Sequence, residues 1–109
     1  MITFDQIEKL FSQNLNNRFC IEIDFKVRGF HYYEYCWMGK MPDKSDKNKE
    51  LYWFGLAEDG SKSHDFDSFF AFSTAPVFDG KSLKDVWDNV ELFSIDGCDP
   101  EERIQAYLW

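Results

Sequence analysis

Several groups of residues in this chain have types and spacing that could do chemistry. Cys98 stands immediately before Asp99-Pro100-Glu101-Glu102, a strong helix start. A thiol beside a helix N-terminus is easier to ionise, and His31 or His64 would complete a nucleophile and base pair. Asp96, Asp99, Glu101 and Glu102 oppose this, because neighbouring negative charge disfavours a thiolate. The helix end carries only about half a charge, so several carboxylates outweigh it. Cys98 therefore reads as a small turn residue.

Metal and phosphate sites fare no better. His64-Asp65-Phe66-Asp67 offers three ligands, but only one is His. On a strand Asp65 and Asp67 would share a face turned away from His64. Asp96-x-x-Asp99-x-Glu101 lacks the ligand spacing and central Gly of a calcium loop. Phe78-Asp79-Gly80-Lys81-Ser82 lacks phosphate-loop spacing and reads as a turn and a helix cap. No cofactor and no metal is expected.

The remaining group is aromatic. Phe, Tyr and Trp make up 19% of the 109 residues, 12 of them Phe. In Phe19-Cys20-Ile21-Glu22-Ile23-Asp24-Phe25-Lys26-Val27 apolar and polar residues alternate, as on a strand with one wet face. In Phe30-His31-Tyr32-Tyr33-Glu34-Tyr35-Cys36-Trp37-Met38 both parities carry large rings. With a two-residue turn at Arg28-Gly29, Asp24 lies opposite Tyr33, Glu22 opposite Tyr35 and Cys20 opposite Trp37. The outer face then shows Tyr33, Tyr35 and Trp37 beside Glu22 and Asp24. It suits a cationic or amphipathic guest, or a protein interface. Cover by the chain's own 73–81 segment or by a helix, or plain partial exposure, is the plainer reading. Glu34 falls awkwardly on the inner face, where a carboxylate needs a partner.

The elements that must position these residues follow from local signals. Thr3 caps a first helix, Phe4 to Leu15, with Gln6 as capping-box partner and Phe4, Ile7, Leu10, Phe11 and Leu15 on one stripe. Strands follow at Phe19 to Val27 and Phe30 to Met38. Residues 42–50, with mixed charges, read as a solvated loop. A third strand, about Leu51 to Ala57, turns at Glu58-Asp59-Gly60-Ser61 into a fourth, about His64 to Phe72. Residues 75–81 form an irregular connection. Ser82, with Asp85, caps a short helix whose inner residues are Leu83, Val86, Trp87 and Val90. Glu91 to Ile95 makes a fifth short strand, and Asp96-Gly97 turns the chain. Asp99 and Pro100 begin a last helix with Ile104, Tyr107 and Leu108 inward. The expected fold is a single α+β domain over residues 1–109. It has a four- to five-stranded, mainly antiparallel sheet (a meander), an N-terminal helix and two C-terminal helices, packed mainly on one face.

Bulk properties bound the function. A net charge of −8, from 20 acidic and 12 basic residues, repels phosphate backbones and argues against direct nucleic-acid binding. No stretch reaches membrane-spanning length. Acids near Met1 do not suit a signal peptide, and three cysteines without a C-x-x-C suit reduced thiols, so a cytoplasmic protein is expected. The function expected is a non-enzymatic interaction module that binds a protein, itself or another, through the aromatic sheet face. A cavity lined by Trp37, Trp53 and a carboxylate, between sheet and helices, would instead favour a small ligand. An enzyme using Cys98 or a carboxylate is the third class.

Overall fold

In a computed structural model, the structure describes residues 2–13, 20–29, 33–46, 48–56 and 62–108. Helix α1, Phe4–Phe11, opens with a full capping box: Thr3 Oγ1 accepts from the Gln6 N–H, and Gln6 Oε1 accepts from the Thr3 N–H at 2.8 Å. Four strands follow, β1 Ile21–Val27, β2 Cys36–Pro42, β3 Glu50–Leu56 and β4 Lys62–Phe66. Then come α2 Phe69–Thr74, α3 Leu83–Val86 with a 3-10 turn over Trp87–Asn89, β5 Val90–Ile95 and α4 Pro100–Leu108. The sheet is antiparallel with order β4-β3-β2-β1-β5. The first four strands form a meander. The chain then crosses the sheet through α2 and α3, and β5 pairs with the far side of β1. This is the expected α+β architecture.

The first hairpin is not the tight one expected. Phe25 pairs with Cys36 and Asp24 with Trp37, so the β1–β2 connection runs well past Arg28-Gly29. Phe30, His31 and Tyr32 lie outside the described residues. Tyr33 precedes β2 and turns inward. Its hydroxyl lies 3.2 Å from both the Val77 carbonyl and Asp79 Oδ1, and its ring meets Phe78 edge-on at 5.2 Å. Glu34 is exposed, which removes the burial problem that the short turn created. Trp37 has moved four positions along its partner strand. An even shift keeps every side chain on its original face.

The fourth strand is also shorter than expected. It ends at Phe66, and Ser68 caps α2 by accepting from the Ala71 N–H at 3.0 Å. Phe69 and Phe72, three apart, then point into the core as on a helix. Phe72 stacks on Phe54 with ring centroids 4.1 Å apart, and Phe11, Phe66 and Phe69 pack around it. The phenylalanine excess thus fills the layer between sheet and helices. Phe11, Phe25, Phe54, Phe72 and Phe78 are all fully buried there. Rings of this kind bring large apolar area to a small core.

Two other junctions behave as their sequences suggest. Ser82 and Asp85 form a reciprocal capping box on α3, and the Asp99 carboxylate accepts from the Glu102 N–H at 3.1 Å. Between β5 and α4 the chain turns at Asp96-Gly97, with φ of 52° and 78°. The Asp96 carboxylate accepts two bonds there, from the Glu22 N–H at 2.9 Å and the Tyr107 hydroxyl at 2.7 Å.

That packing makes stability sensitive to alkali. Burial pushes the Cys36 thiol from 9.0 up to about 12. Burial, with the Asp96 hydrogen bond, pushes Tyr107 from 10.0 up to about 12. Both groups fold in their neutral forms, and both folded values lie above the unfolded ones. Their contribution is complete below about pH 9 and is lost as pH rises from there towards 12. The thermal midpoint should hold from pH 7 to 8.5 and fall between pH 9 and 11. Tyr107→Phe and Cys36→Ala should each flatten that decline. A midpoint unchanged to pH 11 would contradict this.

Candidate binding groove on the outer face of the sheet

Alternation along the strands sends one residue in two away from the helices. Two cross-strand rows on that outer face carry the aromatic and acidic residues. In one row Glu22 pairs with Gly39, Gly39 with Trp53, and Trp53 with Asp65. In the next, Asp24 pairs with Trp37, Trp37 with Gly55, and Gly55 with Ser63. The first row thus holds two acids and the second one, and each holds a glycine and a tryptophan that exchange strands from one row to the next. Met41 and Leu51 pair in the row on the other side of Gly39 and Trp53.

The two glycines shape this surface differently: Gly55 lines a depression, and Gly39 is covered by a ring. A side chain at Gly39 would meet Trp53 Cζ2 at 2.8 Å, so the indole lies across the bare backbone of β2. This is the arrangement in which an aromatic ring covers a strand glycine. The outcome is a groove of about 460 Å³ that opens to solvent. Its walls come from β1 to β4 alone: Trp37, Trp53, Met41 and Leu51 are apolar and half-buried, and Glu22, Ser63 and Asp65 line its exposed rim.

The acids on this face differ in how far they are already engaged. Asp24 accepts from the Ser94 hydroxyl at 3.0 Å. Lys26, on the same face, pairs with Glu91 at 3.4 Å. Among the described residues no Lys, Arg or His side chain pairs with Glu22 or Asp65. His64 and Asp65, adjacent in the chain, fall on opposite faces and pair with Phe54 and Trp53 respectively.

Of the expected site residues, Glu22, Asp24, Trp37 and Trp53 come together on this face. Tyr33 does not, because it is drawn into the core, and Tyr35 sits 63% exposed before β2 begins. Both were placed on the outer face by a hairpin too short by several residues. The long connection releases them from the strand. The groove containing Trp37, Trp53 and a carboxylate opens outward, not between sheet and helices; that layer is packed with phenylalanine. Gly39, Gly55 and Asp65 were missed. The two glycines inside otherwise apolar strands were the available signal, since a strand glycine often marks a close approach.

Two further polar features lie elsewhere. Lys40 is 1% exposed on the inner face, and its ammonium donates to the Phe11 carbonyl at 2.7 Å, to the Gln13 carbonyl, and to Glu50 at 2.8 Å. It caps the C-terminal end of α1 from within the core, a role no local pattern announced. Cys98 is exposed, and Arg103 is held above its ordinary pKa first by Tyr107 and then by the Cys98 sulfur. A depression of about 410 Å³ between Ile2, Trp87, β5 and the start of α4 has polar groups already committed: Trp87 donates to the Ile2 carbonyl at 3.2 Å and Arg28 to the Asp88 carbonyl at 3.0 Å.

No protein-family model, curated protein or solved structure matches this chain significantly. No described helix is long and apolar enough to cross a membrane.

Proposed function

We propose that this protein is a non-enzymatic interaction module that takes a protein partner on the outer face of its sheet. The observation that carries this reading is the groove itself. Two tryptophans, a methionine and a leucine stand half-buried around an open depression that Gly55 also lines. Tryptophan anchors surrounded by polar rim residues are the composition of interface centres. The volume also lies in the range of small-ligand sites. Its openness favours a side chain projecting from a larger partner over a molecule that must be enclosed. The three cysteines are free thiols, which accords with a reducing, cytoplasmic setting.

The test is site-specific photocrosslinking in extract from the protein's own cells. A photoreactive residue replaces Met41 or Ser63 on the face, or Lys84 on α3 as control. The face positions should give an adduct of discrete mass that Lys84 does not. Trp37→Ala should abolish it, since losing a central aromatic anchor costs about 2 kcal/mol or more. Adducts of equal yield from Lys84, or none from the face, would overturn the reading. An adduct of twice the chain's mass would identify the partner as a second copy.

A further inference from the structure

Building on that reading, we infer that the groove's occupant is a lysine or arginine side chain from a basic segment of a different protein, held between Trp37 and Trp53. Charge complementarity carries the inference. Tryptophan rings present a negative face to a cation. Trp53 lies in the same cross-strand row as Glu22 and Asp65, with Glu22 at one end and Asp65 at the other. Neither carboxylate is spent on a described basic side chain, whereas Asp24 and Lys26 are both engaged. A cation with a long apolar stem fits both parts of the site: the stem lies on Met41, Leu51 and the rings, and the charge meets the rim acids.

The same charges argue against a second copy. A two-fold interface places the same patch on both sides. Here that would bring two copies of the Glu22 and Asp65 rim into one interface, in a chain of net charge −8. Like-charge juxtaposition across an interface is costly. A basic partner gains from the local acids and from long-range attraction to the whole chain.

The experiment is a tryptophan-fluorescence titration of the full chain with blocked hexa-arginine and hexalysine peptides, and with blocked hexaglutamate as control. Basic peptides should perturb the emission saturably, and hexaglutamate should not. The double variant Glu22→Gln/Asp65→Asn should weaken binding about tenfold or more. Asp5→Asn/Glu8→Gln, which removes the same charge from exposed positions on α1, should weaken it less than about threefold. Trp37→Leu should weaken binding to a similar degree as the rim variant. No saturable binding, or equal loss from both double variants, would overturn the cation site. Crosslinking separates this from the parent reading. A face adduct that survives Glu22→Gln/Asp65→Asn would leave an interaction module whose partner is not basic. Loss of the face adduct in wild type would remove the module reading itself.

Discussion

Gly39→Ala should be the most damaging single-methyl change in this chain. The added Cβ would lie 2.0 Å from the Ile21 carbonyl oxygen and 2.8 Å from Trp53 Cζ2. Rotation of the indole can relieve the second contact. The first is with backbone in β1, which cannot retreat without loosening a ladder that pairs Ile21 with Lys40 and Ile23 with Met38. Both strands are interior to the sheet, with neighbours on each side. The expected loss is about 4 kcal/mol or more, in the tail reserved for overpacking at sites that cannot relax. Folded domains of this size hold only about 5–15 kcal/mol in total, so much of the variant should be insoluble. Urea denaturation of the soluble fraction checks the magnitude. A second substitution, Trp53→Leu, tests the cause: it should restore only part of the loss, because the carbonyl clash remains. A Gly39→Ala protein within about 1 kcal/mol of wild type would show that the β1 backbone yields more easily than the ladder implies.

Lys40→Met should weaken the fold nearly as much, for a different reason. The ammonium supplies the donors that the Phe11 and Gln13 carbonyls accept at the end of α1, and it neutralises Glu50. Methionine fits the stem but donates nothing. Helix-end carbonyls then lie buried without a donor, and Glu50 loses its counter-ion. Removing one partner of a buried pair costs about 3–5 kcal/mol. The lower end applies here because the Glu50 side chain is 24% exposed and keeps some water. Glu50→Gln alone should cost less than Lys40→Met, since the ammonium would still hold both carbonyls. The two changes together should cost less than their separate effects added, as expected of groups in direct contact. Urea midpoints of the four proteins give the cycle. A Lys40→Met loss under about 1 kcal/mol would mean that water replaces the ammonium at the helix end.

Much of this fold is written in short stretches of sequence because the forces that set it are local. Thr3 with Gln6, Ser82 with Asp85, and Asp99 ahead of Pro100 each begin a helix at the residue expected. A cap needs only a side-chain oxygen two or three residues before an unpaired N–H, and any sequence window of that length contains both. Alternation in Ile21–Val27 fixed which residues of β1 face the core, since side-chain direction on a strand depends only on parity. Parity also survived the misplaced hairpin. Glu22, Asp24 and Trp37 remain on one face because the register moved by an even number of residues.

Tertiary structure decided the rest. The length of the β1–β2 connection could not be read from Arg28-Gly29, since the competing pull on Tyr33 comes from Phe78, Val77 and Asp79, more than forty residues away. Phe66, Phe70 and Phe72 fit a strand by alternation, but Phe69 and Phe72 also fit a helix. Phe72 stacked on Phe54 settles the choice. Lys40 looks like an ordinary polar residue in a strand until the end of α1 is brought over it. The groove exists only once four strands align, because only then does Trp53 lie across Gly39 while Gly55 lines the depression beside Trp37 in the adjacent row. Residue types and parity are properties of a segment. Register and concavity belong to the packed sheet, and they are what turn scattered tryptophans and acids into a site.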